Sequence, residues 1–167
     1  MKKFMETIVI ILCISSIMTA CTKRENPEEP KISLKFTVLD STEEEFKSVG
    51  TKDLENPIKE DFKNIELKLD VEHSSKISNR KITVPDIKKI VKSQYEDRYW
   101  FGEMYGQDNE SENFARYGEK IVFYSKGLEE EEIKGIFKSA EVKISWTANN
   151  GENKEKIFNL GDVIEFK

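Results

Sequence analysis

Only three side chains in this chain of 167 residues could act as a thiolate or an imidazole: Cys13, Cys21 and His73. A Ser–His or Cys–His nucleophile pair would have to be built on His73. A zinc site there would need several carboxylates gathered around the same ring. His73 opens a polar stretch running to Arg80 that reads as a loop, so it is expected to be a solvated loop residue. Asp108-Asn109-Glu110-Ser111-Glu112-Asn113 spaces acids like the start of a calcium loop, and Glu119 falls at the last ligand place. Asn113, however, stands where the sharp turn of that loop requires Gly. Glu129-Glu130-Glu131-Glu132 reads as the first turn of a helix, where carboxylates offset the macrodipole by about 0.3–1 kcal/mol each. There is no Gly-rich phosphate loop, nucleophile elbow or HExxH. Acids are so plentiful, 32 in all, that pairing two of them for glycoside hydrolysis would carry no information. The expectation is a protein without catalytic activity, metal or cofactor.

The aromatic segment offers binding chemistry instead. Tyr95, Tyr99, Trp100, Phe101 and Tyr105, with Arg98 and Glu103 among them, are residue types found at binding hot spots. Stacked rings also take sugars or peptides. The competing reading is core, since rings bury much area. On a regular strand Tyr99, Phe101 and Tyr105 would share one face and Trp100 the other, so some of the group are expected to be exposed.

The remaining chemistry lies at the N-terminus. Lys2 and Lys3 precede an apolar run, Ile8 to Ile14, and small residues Thr19 and Ala20 precede Cys21. Charge, apolar core and small residues in that order make a secretory signal. From Thr7 to Ala20 is about 14 residues, short of the roughly 20 that span a bilayer. Met18-Thr19-Ala20-Cys21 resembles the lipobox of bacterial lipoproteins, with Met18 where Leu is favoured and Glu6 as an unusual acid upstream. The resemblance covers residues 1–21. It implies cleavage before Cys21 and attachment of diacylglycerol, palmitate-type chains, to its sulfur. One acyl chain holds a protein only marginally, whereas two give stable anchoring.

Removing a signal (1–20) of net charge +1 from a chain of −5 leaves −6. That argues against nucleic acid, which calls for clustered positive charge, and against adhesion to anionic head groups. With Cys13 excised and Cys21 acylated, the expected mature domain has neither disulfide nor thiol. Residues 21–31, polar and carrying Pro27 and Pro30, read as a flexible tether, and 32–167 as a single globular domain.

Within that domain Ile32 to Val38 and Ile65 to Val71 alternate as half-buried strands. Ser41 and Glu44 suggest a capping box for a short helix. Ile82 and Val84 predict a strand stopped by Pro85, and Ile87, Ile90 and Val91 fall at helical spacing. Gln107 to Asn113 reads as an exposed loop, Ile121 to Tyr124 as an interior strand and Leu128 to Ser139 as a helix. Val142, Ile144 and Trp146 then alternate, which places Trp146 in the core. Asn150-Gly151 predicts a type I′ hairpin, and Val163 to Phe166 supplies a last strand. Short strands separated by turns predict a mainly β antiparallel sandwich, immunoglobulin-like, with the Leu128–Ser139 helix as a connection. The alternative is an α+β sheet with that helix on one face.

The function these readings lead to is a lipid-anchored module facing outside the cytoplasm on a cell membrane. It is expected to bind an envelope or extracellular protein through the aromatic segment without catalysis. Capture of a small ligand or glycan by the same rings is second, and an envelope hydrolase third.

Overall fold

The computed structural model describes residues 28–95, 98–109 and 112–167, with Tyr99 and Trp100 described by their backbone alone. The signal segment and Cys21 lie outside the described residues. The two alternating stretches form β1 (Lys31–Asp40) and β2 (Phe62–Glu72). They pair antiparallel, with Leu34 opposite Leu69 and Val38 opposite Ile65. Residues in register share a face, so Ile65, Leu67, Leu69 and Val71 turn inward with Phe36 and Val38, all buried.

The remaining strands are β3 (Ser78–Thr83), β4 (Tyr99–Asp108), β5 (Phe114–Tyr124), β6 (Glu141–Thr147), β7 (Asn153–Asn159) and β8 (Ile164–Phe166). One sheet runs β4-β5-β2-β1-β8 and the other β3-β6-β7. Every pairing is antiparallel except β1 with β8, which is parallel. Without β8, this order is the A-B-E-D sheet over the C-F-G sheet of an immunoglobulin domain. The fold is therefore mainly β, an antiparallel sandwich with a few short helices, as the spacing of strands and turns predicts. Inward side chains of both sheets, Phe36, Leu67 and Phe123 from one and Val142, Ile144 and Trp146 from the other, form one buried cluster. Residues 28–167 contain no cysteine, so packing holds the sheets together where antibody domains add a disulfide.

Among the described residues four α-helices, and a 3-10 turn at Lys59–Asp61, link the strands. α1 (Glu43–Ser48) starts one residue later than the expected capping box: Thr42 Oγ1 accepts from Glu45 N at 3.2 Å, and Glu45 Oε2 accepts from Thr42 N at 2.8 Å. Ser41, one residue earlier, is buried just after β1, its N–H bonded to Phe62 O. Behind α1, Phe46, Val49 and Leu54 cover Phe62 and Val122 on the outer face of the larger sheet. α2 (Ile87–Gln94) follows Pro85, is capped by Asp86, and buries Ile87 and Val91 in the main core. α3 (Glu130–Ile136) makes the expected crossover from β5 to β6. Phe137 just after it meets Phe36 edge-on, with centroids 4.8 Å apart. α4 (Leu160–Val163) carries the chain from the smaller sheet to β8.

Three local expectations need correction. The loop from His73 ends earlier than Arg80, because β3 begins at Ser78. Gln107 and Asp108 belong to β4 rather than to the loop after it. The Asn150-Gly151 hairpin is not type I′, which needs positive φ at both residues. Only Gly151 has it, at 83°, while Gly151 N–H donates to Ala148 O and Ala148 N–H to Glu152 O. That is a three-residue loop closed by a left-handed glycine.

Trp146 is buried, and its Nε1 donates to Glu28 O at 3.0 Å. Pro30 is also buried. The last residues of the segment read as a tether thus rest on the sandwich.

Candidate functional site: the cleft beside the β4 edge

The aromatic segment divides between two elements. Tyr95 is half-buried at the C-terminus of α2, its N–H donating to Val91 O at 2.8 Å. Arg98 is not a free hot-spot cation: Nη1 donates to Tyr124 O at 3.1 Å and Lys126 O at 2.8 Å. Its guanidinium also lies over the Tyr124 ring. Tyr99 to Tyr105 form the first part of β4.

Strand β4 does not alternate simply through the aromatic residues. Tyr99 pairs with Phe123 and Phe101 with Val122, so Trp100 is an extra residue and the ladder bulges there. The face expected to join Tyr99 with Phe101 is therefore interrupted, and the side chains of Tyr99 and Trp100 lie outside those described. Beyond the bulge the phase is regular. Phe101 and Tyr105, opposite Val122 and Gly118, share the outer face. They are 44% and 51% exposed. The Tyr105 ring lies directly over Gly118, in the space a Cβ would fill.

Met104 stands out less in the sequence than the rings around it. It pairs with Glu119, takes the inward phase, and is still 71% exposed. The reason is the topology: β4 ends the larger sheet, and β3 ends the smaller one. Between these two ends lies a cleft of about 410 Å³. Leu67, Tyr117 and Glu119 form its inner wall, Ile82 and Val84 come from the β3 side, and Met104 edges it on β4.

Polar groups fix both limits of this cleft. Near one, the Arg80 guanidinium on β3 reaches Asp108 on β4, and its Nη2 also donates to Phe114 O at 3.1 Å. The Arg80 side chain is 4% exposed. Tyr117 Oη donates to Asp108 Oδ2 at 3.0 Å. Burial and that hydrogen bond push the Tyr117 hydroxyl up to about 12, so it keeps its proton. Near the other limit Glu119 accepts from Ile87 N at 2.9 Å and Lys88 N at 2.7 Å, one to each carboxylate oxygen. Burial pushes the Glu119 carboxyl above its ordinary value, against the pull of those two N–H groups. The sequence did hold a signal for it, because Glu119 is in phase with the inward residues Ala115, Ile121 and Phe123.

The other candidates stay apart from this cleft. His73 is half-buried, its Nδ1 2.8 Å from Ser74 O and its N–H bonded to Asn113 O. Glu129 to Glu132 open α3, where the Glu132 carboxylate accepts the Glu129 N–H at 2.9 Å. Among the described residues, no three His, Cys, Asp or Glu side chains gather as a metal site would require. No described helix is long and apolar enough to cross a membrane.

Connectivity and cleft together define an immunoglobulin-like sandwich in which, among the described residues, the ten-residue strand β4 is paired on one side only. No family model, curated protein or solved structure matches the chain.

Proposed function

We propose that the chain is a bacterial lipoprotein, held outside the cytoplasm by Cys21, whose sandwich binds another envelope or extracellular protein through β4. One observation carries the binding part. Of the five large hydrophobic side chains exposed among the described residues, Phe101, Met104 and Tyr105 lie on β4, with Ile58 and Ile157 elsewhere. An edge strand offers unpaired N–H and C=O groups, and proteins usually blunt such edges with charge, shortness or cover. β8 has three residues, β3 carries Arg80 and Lys81, and β7 reads Asn-Lys-Glu-Lys-Ile-Phe-Asn. β4 has ten residues, and its charges are Glu103 and the Arg80-bound Asp108. Beyond the bulge at Trp100, from Phe101 to Gln107, Glu103 is the one charged residue on this edge.

A photo-crosslinking residue placed at Phe101 or Tyr105 in growing cells tests this. One discrete protein adduct from both positions, and none from Ile58 or Ile157, is the expected result. Equal labelling from all four would overturn the proposal.

The cleft supports capture of a small ligand or glycan as a second reading. Its volume falls in the range of ligand pockets, with apolar and aromatic walls and few polar groups. That reading predicts no protein adduct, and a thermal shift on adding the ligand that Met104→Lys abolishes.

A further inference from the structure

Resting on that reading of β4 as the docking edge, we infer that the partner enters as an extended segment. It adds a strand to β4 and lays a lysine or arginine side chain into the cleft between the β3 and β4 edges. The backbone of β4 accounts for the shape of the partner. Among the described residues nothing pairs with its outer side, so main-chain groups can take a further strand, as in other edge-addition complexes.

The cleft accounts for the chemistry of the side chain. Successive residues of an added strand alternate between faces. Those in phase with Met104 therefore point between the sheets, where Ile82, Val84 and Tyr117 offer an apolar wall. A purely apolar side chain would add no charge beside the two carboxylates there, which bond to α2 N–H groups, Asp86 to Lys89 N and Glu119 to Ile87 N and Lys88 N. The charged residues lining the cleft are Asp86 and Glu119, both carboxylates, and no lysine or arginine lines it. Glu103, next to Met104 on the other face, makes no ion pair among the described residues. Its neighbour in register, Lys120, is held by Glu45 at 2.5 Å. Long basic side chains suit this arrangement, since their methylene stems cover apolar surface while the head stays with the charge. A second copy of this chain fits less well, because its own β4 would bring Glu103 against carboxylates.

The test uses the full-length, isotope-labelled protein in detergent micelles and two synthetic peptides. One alternates Thr and Val around a central lysine; the other carries N-acetyl-lysine at that place. The lysine peptide should shift the backbone amide signals of Phe101 to Gln107, and acetylation should weaken binding about tenfold or more. Met104→Lys, which puts a cation of its own beside the cleft, should abolish that preference. Glu119→Gln tests the inner carboxylate. Should it disturb α2, Asp86→Asn gives the same readout, because Asn caps a helix as well as Asp does. Equal binding of the two peptides, or shifts that avoid β4, would overturn the inference. If the peptides fail while Phe101 and Tyr105 still crosslink a protein in cells, the docking edge stands and the basic segment falls. If both fail, both fall.

Discussion

The indole of Trp146 donates its N–H to the main-chain carbonyl of Glu28, 118 positions earlier in the chain. A core ring thus holds the segment leading into β1, and the two roles can be separated by mutation. Trp146→Ala should cost about 3–5 kcal/mol of unfolding free energy. Trp146→Phe keeps most of the packing and loses the hydrogen bond, so about 0.5–1.5 kcal/mol is expected. Urea denaturation measures both. A midpoint unchanged in Trp146→Ala would contradict the burial of that ring.

Stability should depend on pH through Glu119, with a definite sign. Its native carboxyl titrates above the ordinary 4.5 because burial disfavours the charge. The folded protein then keeps a proton that the unfolded chain has already lost. Stability therefore falls as pH rises from about 4.5 to the raised value and is level beyond it. Asp40, held down by its bond to Lys63, works the other way: its contribution is lost as pH falls below about 3.8. Glu45 behaves like Asp40, since its bonds to Lys120 and Thr42 outweigh burial. Melting curves of wild type and Glu119→Gln should diverge in slope above pH 4.5. Parallel slopes would contradict the assignment to Glu119.

Removing the clamp between the two sheet edges should loosen one end of the cleft. Arg80→Met keeps the apolar stem and deletes the bonds to Asp108 and Phe114 O. Hydrogen bonds to charged groups contribute about 1.5–3 kcal/mol each, less where water can replace them. A loss of about 1–3 kcal/mol is expected. Faster amide exchange at Gln107 and Asp108, with α2 unaffected, would place the effect at this end.

Cys21→Ala tests the anchor apart from the fold. The variant should accumulate as unprocessed precursor or leave the membrane fraction, while its melting temperature matches wild type. Detergent partitioning equal to wild type would rule out lipid attachment at that sulfur.

What the sequence made legible follows from how each signal arises. Alternation in Ile32 to Val38, Ile65 to Val71 and Val142 to Trp146 is a local record of which face is buried, and those strands formed with the expected phase. The α3 crossover was readable from the helical spacing of Ile133, Ile136 and Phe137 after the acidic run Glu129 to Glu132, although the helix covers Glu130–Ile136 and not the whole of Leu128 to Ser139. The cleft was not readable, because it exists only where two edges distant in sequence, β3 and β4, end side by side. Met104 looks unremarkable in a row of aromatics until pairing with Glu119 gives it an inward phase. The Trp100 bulge was hidden for a related reason: an extra residue shows only against the register of the partner strand. Glu119 sat in plain view on an inward phase, but its role depends on α2 bringing the N–H groups of Ile87 and Lys88 to its carboxylate.

The strand left open to a partner and the strand that leads back toward Cys21 belong to one sheet, with β5 and β2 between them. Three ladder spacings of about 4.8 Å put them roughly 14 Å apart. Tension between a segment docked on β4 and the chain before Lys31 would cross this plate with no hinge in its path. Because β1 is gripped by β2 on one side and β8 on the other, pulling along it shears two ladders at once.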